Sequence, residues 1–189
     1  NNDGWLAGLD EEERSTILAF RDDCRDTLSK TIDDGWISGQ FANWRGLWHA
    51  DREGWSHMPG HGHQDIGSFD LHYGDEAVII DPGRGAYGET GDAARYRAGE
   101  MHNALQVDGA DPFPPNRPYY DETFRRKISR EALKLWKTET GVGVRHHGFS
   151  RLNGVGAHER TWRFDGDQMV VSDTLEGAGK HTQTRTLIT

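Results

Sequence analysis

The sequence predicts an antiparallel β-sandwich preceded by an N-terminal helix, and three observations lead there. Residues 67–73 alternate strictly, with Phe69, Leu71 and Tyr73 on one side and Ser68, Asp70 and His72 on the other, the period of a half-buried strand. Asp165-Gly166-Asp167 separates two strand-like runs, 160–164 and 168–173, a hairpin signal. The chain of 189 residues carries 24 Gly but 6 Pro, with seven Trp, seven Phe and five Tyr; glycine turns between aromatic and β-branched runs favour sheet over helix. Hydrophobic residues make up only 34%, but the large aromatics bury much area each.

In chain order, residues 10–33 have Ile17, Phe20, Cys24, Leu28 and Ile32 at spacings of three or four, which predicts a helix with one apolar face. Asp10 with Glu13 forms a capping-box pattern, and Gly35 is a natural stop. Trp36-Ile37 and residues 44–48 predict short strands. After the strand at 67–73, Gly74-Asp75 is a turn, and the apolar run 77–80 is a strand ending at Asp81-Pro82-Gly83. Residues 103–107 predict a strand closed by Asp108-Gly109, residues 110–122 a surface loop rich in Pro and Tyr, and residues 182–189 a last strand from which the sheet is expected to continue. The domain reading is an N-terminal helical segment, 1–35, and a β-sandwich domain, 36–189.

Charge narrows the function classes. The net charge is −9, and the only concentrated basic run, Arg125-Arg126-Lys127, is too short to indicate a nucleic-acid partner. An acidic chain can still hold a local basic cleft for a polyanion. No run of about eighteen apolar residues exists to span a membrane, and the single cysteine, Cys24, allows no intrachain disulfide.

Residues 58–83 concentrate His61, His63, Asp65, Asp70, His72 and Asp81. In an extended segment His61 and His63 face the same way. Asp81 follows His63 by 18 residues at the end of the next strand, and His102 follows by 21 more. Two imidazoles and a carboxylate with an open fourth position suit Zn²⁺, whereas Ca²⁺ prefers more oxygens. The competing reading is a polar face rich in histidine. Against it, glycines flank the cluster, and an unpartnered Asp81 at the rim of an apolar run would be costly. His72 belongs to the polar side of its strand. His49 and His57 are weaker cleft candidates, and His146, His147, His158 and His181 receive no role.

The run HGHQDIGSFDLHYGDEAVIIDPGRGAYG, followed by MHNALQVDG and later by GFSRLNGVGAHERTWRFDGDQMVVSDTLEG, resembles the C-terminal domain of the heparinase II/III-like polysaccharide lyases. Several linked elements in the right order carry the resemblance, from about Trp36 to the end. It implies a β-sandwich that works against an α/α-toroid, the helix at 10–33 being a toroid remnant or linker. It also implies β-elimination at a uronic acid of an acidic polysaccharide or oligosaccharide. By position it makes His61 the catalytic or carboxylate-neutralising histidine, and His63, Asp81 and His102 the ligands of a structural zinc. Tyr87 is then a cleft tyrosine acting as acid or base, or a packed loop aromatic. Arg84 and Asn103 either bind substrate carboxylate or hydroxyls, or fix loops. Asp65 is expected to orient a ring nitrogen. Members of the family are mostly bacterial and often periplasmic, and a partner toroid or self-association is expected. Two other readings compete: a non-catalytic carbohydrate-binding module, and a cupin-like metal enzyme suggested by HxH, Asp81-Pro82-Gly83 and a later histidine.

Overall fold

The computed structural model describes residues 10–13, 15–16, 35–50, 62–88, 90–114 and 133–189. The predicted helix is seen at its start. Residues 11–13 and 15–16 are helical, and the capping box is formed, with the Glu13 amide donating to Asp10 Oδ1 at 2.9 Å and the Asp10 amide to Glu13 Oε2 at 3.2 Å. The rest of that helix, His57, His61 and the basic run at 125–127 lie outside the described residues.

Strands β1 (Trp36–Phe41), β2 (Trp44–His49), β3 (Ser68–Tyr73) and β4 (Glu76–Ile79) form one antiparallel sheet in chain order. Strands β6 (Lys134–Thr138), β7 (Gly141–His146), β8 (Val155–Asp165) and β9 (Gln168–Gly177) form a second, again in chain order. Between them in sequence, β5 (Leu105–Val107) pairs antiparallel with β10 (Gln183–Arg185). The chain is thus mainly β, and its two larger sheets are meanders. A cupin barrel is built from Greek keys, so the topology sets that reading aside.

The alternation read from the sequence is the alternation observed. Ile37, Trp48, Phe69 and Leu71 point inward from the first sheet and meet Val142, Val144, Trp162 and Phe164 from the second. Trp48 and Trp162 contact edge to face, with ring centroids 6.2 Å apart, and Phe41 stacks on Phe164 at 4.5 Å. Trp48 fits because its strand-mate Gly46 has no side chain: a Cβ there would lie 2.4 Å from Trp48 Cη2.

Several boundaries differ from the sequence reading. The hairpin strands are longer, running Val155–Asp165 and Gln168–Gly177, because the outward positions are polar and the apolar run marks only their middle. The expected strand at 182–189 is three residues long. Beyond it the Thr186 amide bonds to Ala104 O and the Ile188 amide to Asn103 Oδ1, so side chains and loops take over from the ladder. The turn at Asp108-Gly109 is tight, with both residues at positive φ, 53° and 72°.

Candidate functional site

The site stands on the outer face of the first sheet. Ser68 and Asp70 point outward from β3, His49 and Leu47 from β2, and Trp36 from β1. Pairing aligns them in rows: Trp36 lies opposite His49, and His49 opposite Ser68. At the end of this row the Ser68 hydroxyl donates to Asp81 Oδ2. Asp81 is fixed further by its own amide donating to Asp70 Oδ1 at 2.7 Å and by the Gly83 amide donating to its Oδ1 at 2.8 Å. Asp70, expected only on the polar side of its strand, therefore helps to place Asp81. A cleft of about 240 Å³ results, lined among others by Trp36, His49, His63, Asp65, Asp70 and Asp81. His72, on the same face, does not line it.

His102 is fully buried at the other side of Asp81. Its Nδ1 lies 3.0 Å from both Asp81 carboxylate oxygens, and its Nε2 lies 3.0 Å from Tyr96 O. A carbonyl only accepts, so Nε2 carries the proton. Nδ1 is then either protonated as well, making His102 a cation between Asp81 and Tyr96, or it offers a lone pair in the direction of the carboxylate. In the second arrangement Nδ1 and the carboxylate could both serve as donors to a metal ion, and the Tyr96 carbonyl would be the outer partner that sets the ring's tautomer. His63 lies alongside, its ring centroid 4.9 Å from that of His102. Donors around tetrahedral zinc stand ~3.3 Å apart, close to the Nδ1–carboxylate separation. As placed, no three His, Cys, Asp or Glu side chains among the described residues converge tightly enough to hold an ion. The geometry is two facing donors with the third beside them, and the donor types fit zinc.

Protonation separates the two rings. Burial lowers the pKa of His63 below its ordinary value, His102 and Arg84 add to that, and Asp65 and Asp81 oppose it; neutral imidazole is the ligating form. Burial alone would lower His102, but the hydrogen bond and charge of Asp81 raise it. Burial alone would raise Asp81, but the bond and charge of His102, then Ser68 and Gly83, lower it. Burial would likewise raise Asp65, yet the hydrogen bond and charge of His49, with His102 and His63, bring it down to about 2. The ring that Asp65 orients is that of His49, whose Nδ1 is 3.5 Å from Asp65 Oδ2.

The structure separates the remaining expected residues. Arg84 lies close enough to His63 to act on its titration, and its Nε donates to Ala86 O at 2.8 Å. Tyr87 is 76% exposed, with the Arg84 guanidinium 4.2 Å from its ring centroid, and does not line the cleft. The 81–88 loop turns it outward. Asn103 bonds to the neighbouring backbone. It is fully buried, Nδ2 donates to Phe69 O and Ile80 O at 2.9 and 3.0 Å, and Oδ1 accepts from the Ile188 amide at 2.7 Å. Its amide fills the gap where β4 leaves β3.

Sequence reasoning missed a buried polar chain in the second sheet. The Gly148 amide donates to His146 Nδ1 at 3.1 Å, which leaves the proton on His146 Nε2. That nitrogen is 2.9 Å from His158 Nδ1, and His158 Nε2 is 2.8 Å from Asp173 Oδ1. Arg160 grips Asp173 through Nε at 2.7 Å and Nη2 at 3.2 Å, and its Nη1 donates to Asn103 O at 2.8 Å. The network thereby braces the backbone next to His102. Only the spacing of His158, Arg160 and Asp173 on inward positions of one hairpin hinted at it.

Fold and site together describe an antiparallel β-domain built on two four-stranded sheets, with a histidine–aspartate cleft on the outer face of one of them. Residues 52–188 match the family described as Heparinase II/III-like, C-terminal. The match covers well over half of the chain, and the chain belongs to this family. No curated protein sequence matches it.

Proposed function

We propose that this chain is the β-domain of a polysaccharide lyase that cleaves uronic-acid-containing acidic glycans by β-elimination, with a structural zinc held by His63, Asp81 and His102. What supports the reading is the match to a heparinase II/III-like C-terminal domain, together with the neighbourhood of the three residues, His102 facing Asp81 at 3.0 Å and His63 alongside His102. The bound metal would supply a fixed positive charge that organises the donors around it. β-Elimination requires the sugar carboxylate to be neutralised so that the C5 proton becomes acidic. It then requires that proton to be taken and one to be given to the leaving glycosidic oxygen. Arg84, beside His63, suits the first task. His61, two residues before His63, suits either carboxylate neutralisation or proton transfer.

The test is incubation of the zinc-loaded protein, in its longest native form, with heparin-type glycans, alginate and other uronate polymers. New near-ultraviolet absorbance from the unsaturated product is expected, and silence with every uronate polymer sinks the reading. Glycan binding without turnover would make the chain a carbohydrate-binding module instead. A paired test separates metal from chemistry. His63→Ala should lower zinc content and melting temperature together, since a ligand bound only by the folded state stabilises it. His61→Ala should spare both and reduce turnover; loss of zinc from His61→Ala would refute this division of roles.

A further inference from the structure

The outer face that carries the cleft continues past it. Along β1 the outward residues after Trp36 are Ser38 and Gln40; along β2 they run from His49 through Leu47 to Arg45. Trp36 and Leu47 are 42% and 38% exposed, and both line the cleft. The Trp36 ring lies against the His49 imidazole on one side, with centroids 4.1 Å apart and planes at 32°. His49 is held in turn by Asp65. The cleft thus has an apolar lip and a polar floor, the division that a sugar ring presents with its C–H face and its hydroxyls. At about 240 Å³ it falls below the ~300 Å³ of an ordinary small-molecule pocket and suits a single ring.

A second, larger hollow of about 660 Å³ lies further along the same strands, lined by Ser38, Gln40, Asn43, Arg45, Asp75 and Lys137 among others. Its two cations are only loosely engaged. Arg45 donates to Gly74 O at 2.8 Å and sits 3.3 Å from Asp75, a pair whose side chains are 51% and 105% exposed, and such pairs contribute little. Lys137 Nζ donates to Ser38 O at 3.1 Å. From Trp36 to Gln40 is four residues, ~14 Å of strand, the span of a few sugar units.

We propose that the outer face of β1 and β2 is an extended track for an acidic oligosaccharide. Trp36 is the platform for the ring next to the cleft, and the hollow of Arg45 and Lys137 takes an acidic group further along the same glycan. The proposal rests on reading the cleft as a uronate site and adds to it where the chain of sugars runs and what grips it.

Calorimetric titration of the zinc-loaded protein with heparin-derived and mannuronate oligosaccharides, each as a disaccharide and a hexasaccharide, tests it. At least one hexasaccharide should bind tighter than its disaccharide. Trp36→Ala should weaken both lengths about tenfold, and Trp36→Phe should restore most of the loss. Arg45→Gln should weaken the hexasaccharide several-fold and leave the disaccharide unchanged. Melting temperature and zinc content should stay at the wild-type values in all three variants. The track is overturned if affinity is independent of length, if Trp36→Ala binds as wild type does, if Arg45→Gln affects both lengths equally, or if no acidic oligosaccharide binds the wild type. Turnover of a uronate polymer with binding indifferent to both positions refutes the track and leaves the lyase reading intact. The expected binding pattern without turnover does the reverse.

Discussion

Replacing Arg160 with Met should be among the most damaging single changes in the described core. The guanidinium is 1% exposed, and it pairs with Asp173 through two nitrogens while donating to Asn103 O. Breaking a buried ion pair from one side costs ~3–5 kcal/mol, because the partner charge is left uncompensated. Here the lower end applies: Asp173 keeps Arg185, whose Nε is 2.7 Å from Oδ2, and His158 at 2.8 Å from Oδ1. The Asn103 carbonyl loses a buried donor, which adds ~1–3 kcal/mol. The contributions are coupled and do not simply add, so ~4 kcal/mol is expected, against a total of ~5–15 kcal/mol for a domain. At ~2–4 °C per kcal/mol for this size, the melting temperature should fall by ~8–16 °C. Urea unfolding at pH 7 measures the loss, with an unchanged m-value showing that stability alone has moved. A cycle with Asp173→Asn should return a coupling energy above ~1 kcal/mol. A loss under ~1 kcal/mol in the single variant would refute the view that this network holds the second sheet to the segment bearing His102.

Three further outcomes follow from the same geometry. Burial holds His146 well below its ordinary pKa, with His158, Arg160 and His147 adding to that and Asp173 opposing, and burial, Arg160 and Arg185 lower His158 despite its bond to Asp173. Both rings therefore bind protons more readily when unfolded, so their contribution is present above pH ~6.5 and lost as pH falls below it. His146→Gln keeps a donor but cannot titrate, and should flatten the decline of melting temperature between pH 7 and 5, removing up to ~1.4 kcal/mol per pH unit; parallel profiles would count against a buried neutral pair. Gly46→Ala should cost ~1–3 kcal/mol in chemical denaturation by forcing Trp48 from its seat, and a neutral result would contradict the packing described. Ser68→Ala removes the hydroxyl that donates to Asp81 and accepts from the buried Asn103 amide at 3.2 Å, and should cost ~1–3 kcal/mol together with weaker zinc retention on dialysis against a chelator.

Most strands were legible because the signals that specify them are local. Alternation at 68–73, the turn residues at 74–75 and 165–167, and the capping pair Asp10 and Glu13 each act over a few residues. Some cleft residues were legible for a similar reason: His63 and Asp81 lie near strands bounded by glycine and proline. The reading of residues 68–72 as a polar face was right about direction and incomplete about purpose, since that outward face is the floor of the cleft.

By itself, then, the sequence determined the β class, the strand directions and a short roster of chemically competent side chains. Only the tertiary structure decided which of them meet. The row from Trp36 through His49 and Ser68 to Asp81 depends on cross-strand register, which joins residues up to 45 positions apart in sequence. The commitment of Asn103 to backbone carbonyls depends on where β4 diverges from β3, and the outward turn of Tyr87 on the course of one loop. The chain from His146 to Arg160 needs two strands and a neighbouring hairpin in place before any of its members has a partner. Periodicity states which way a side chain points; pairing and packing, which are non-local, state what it points at.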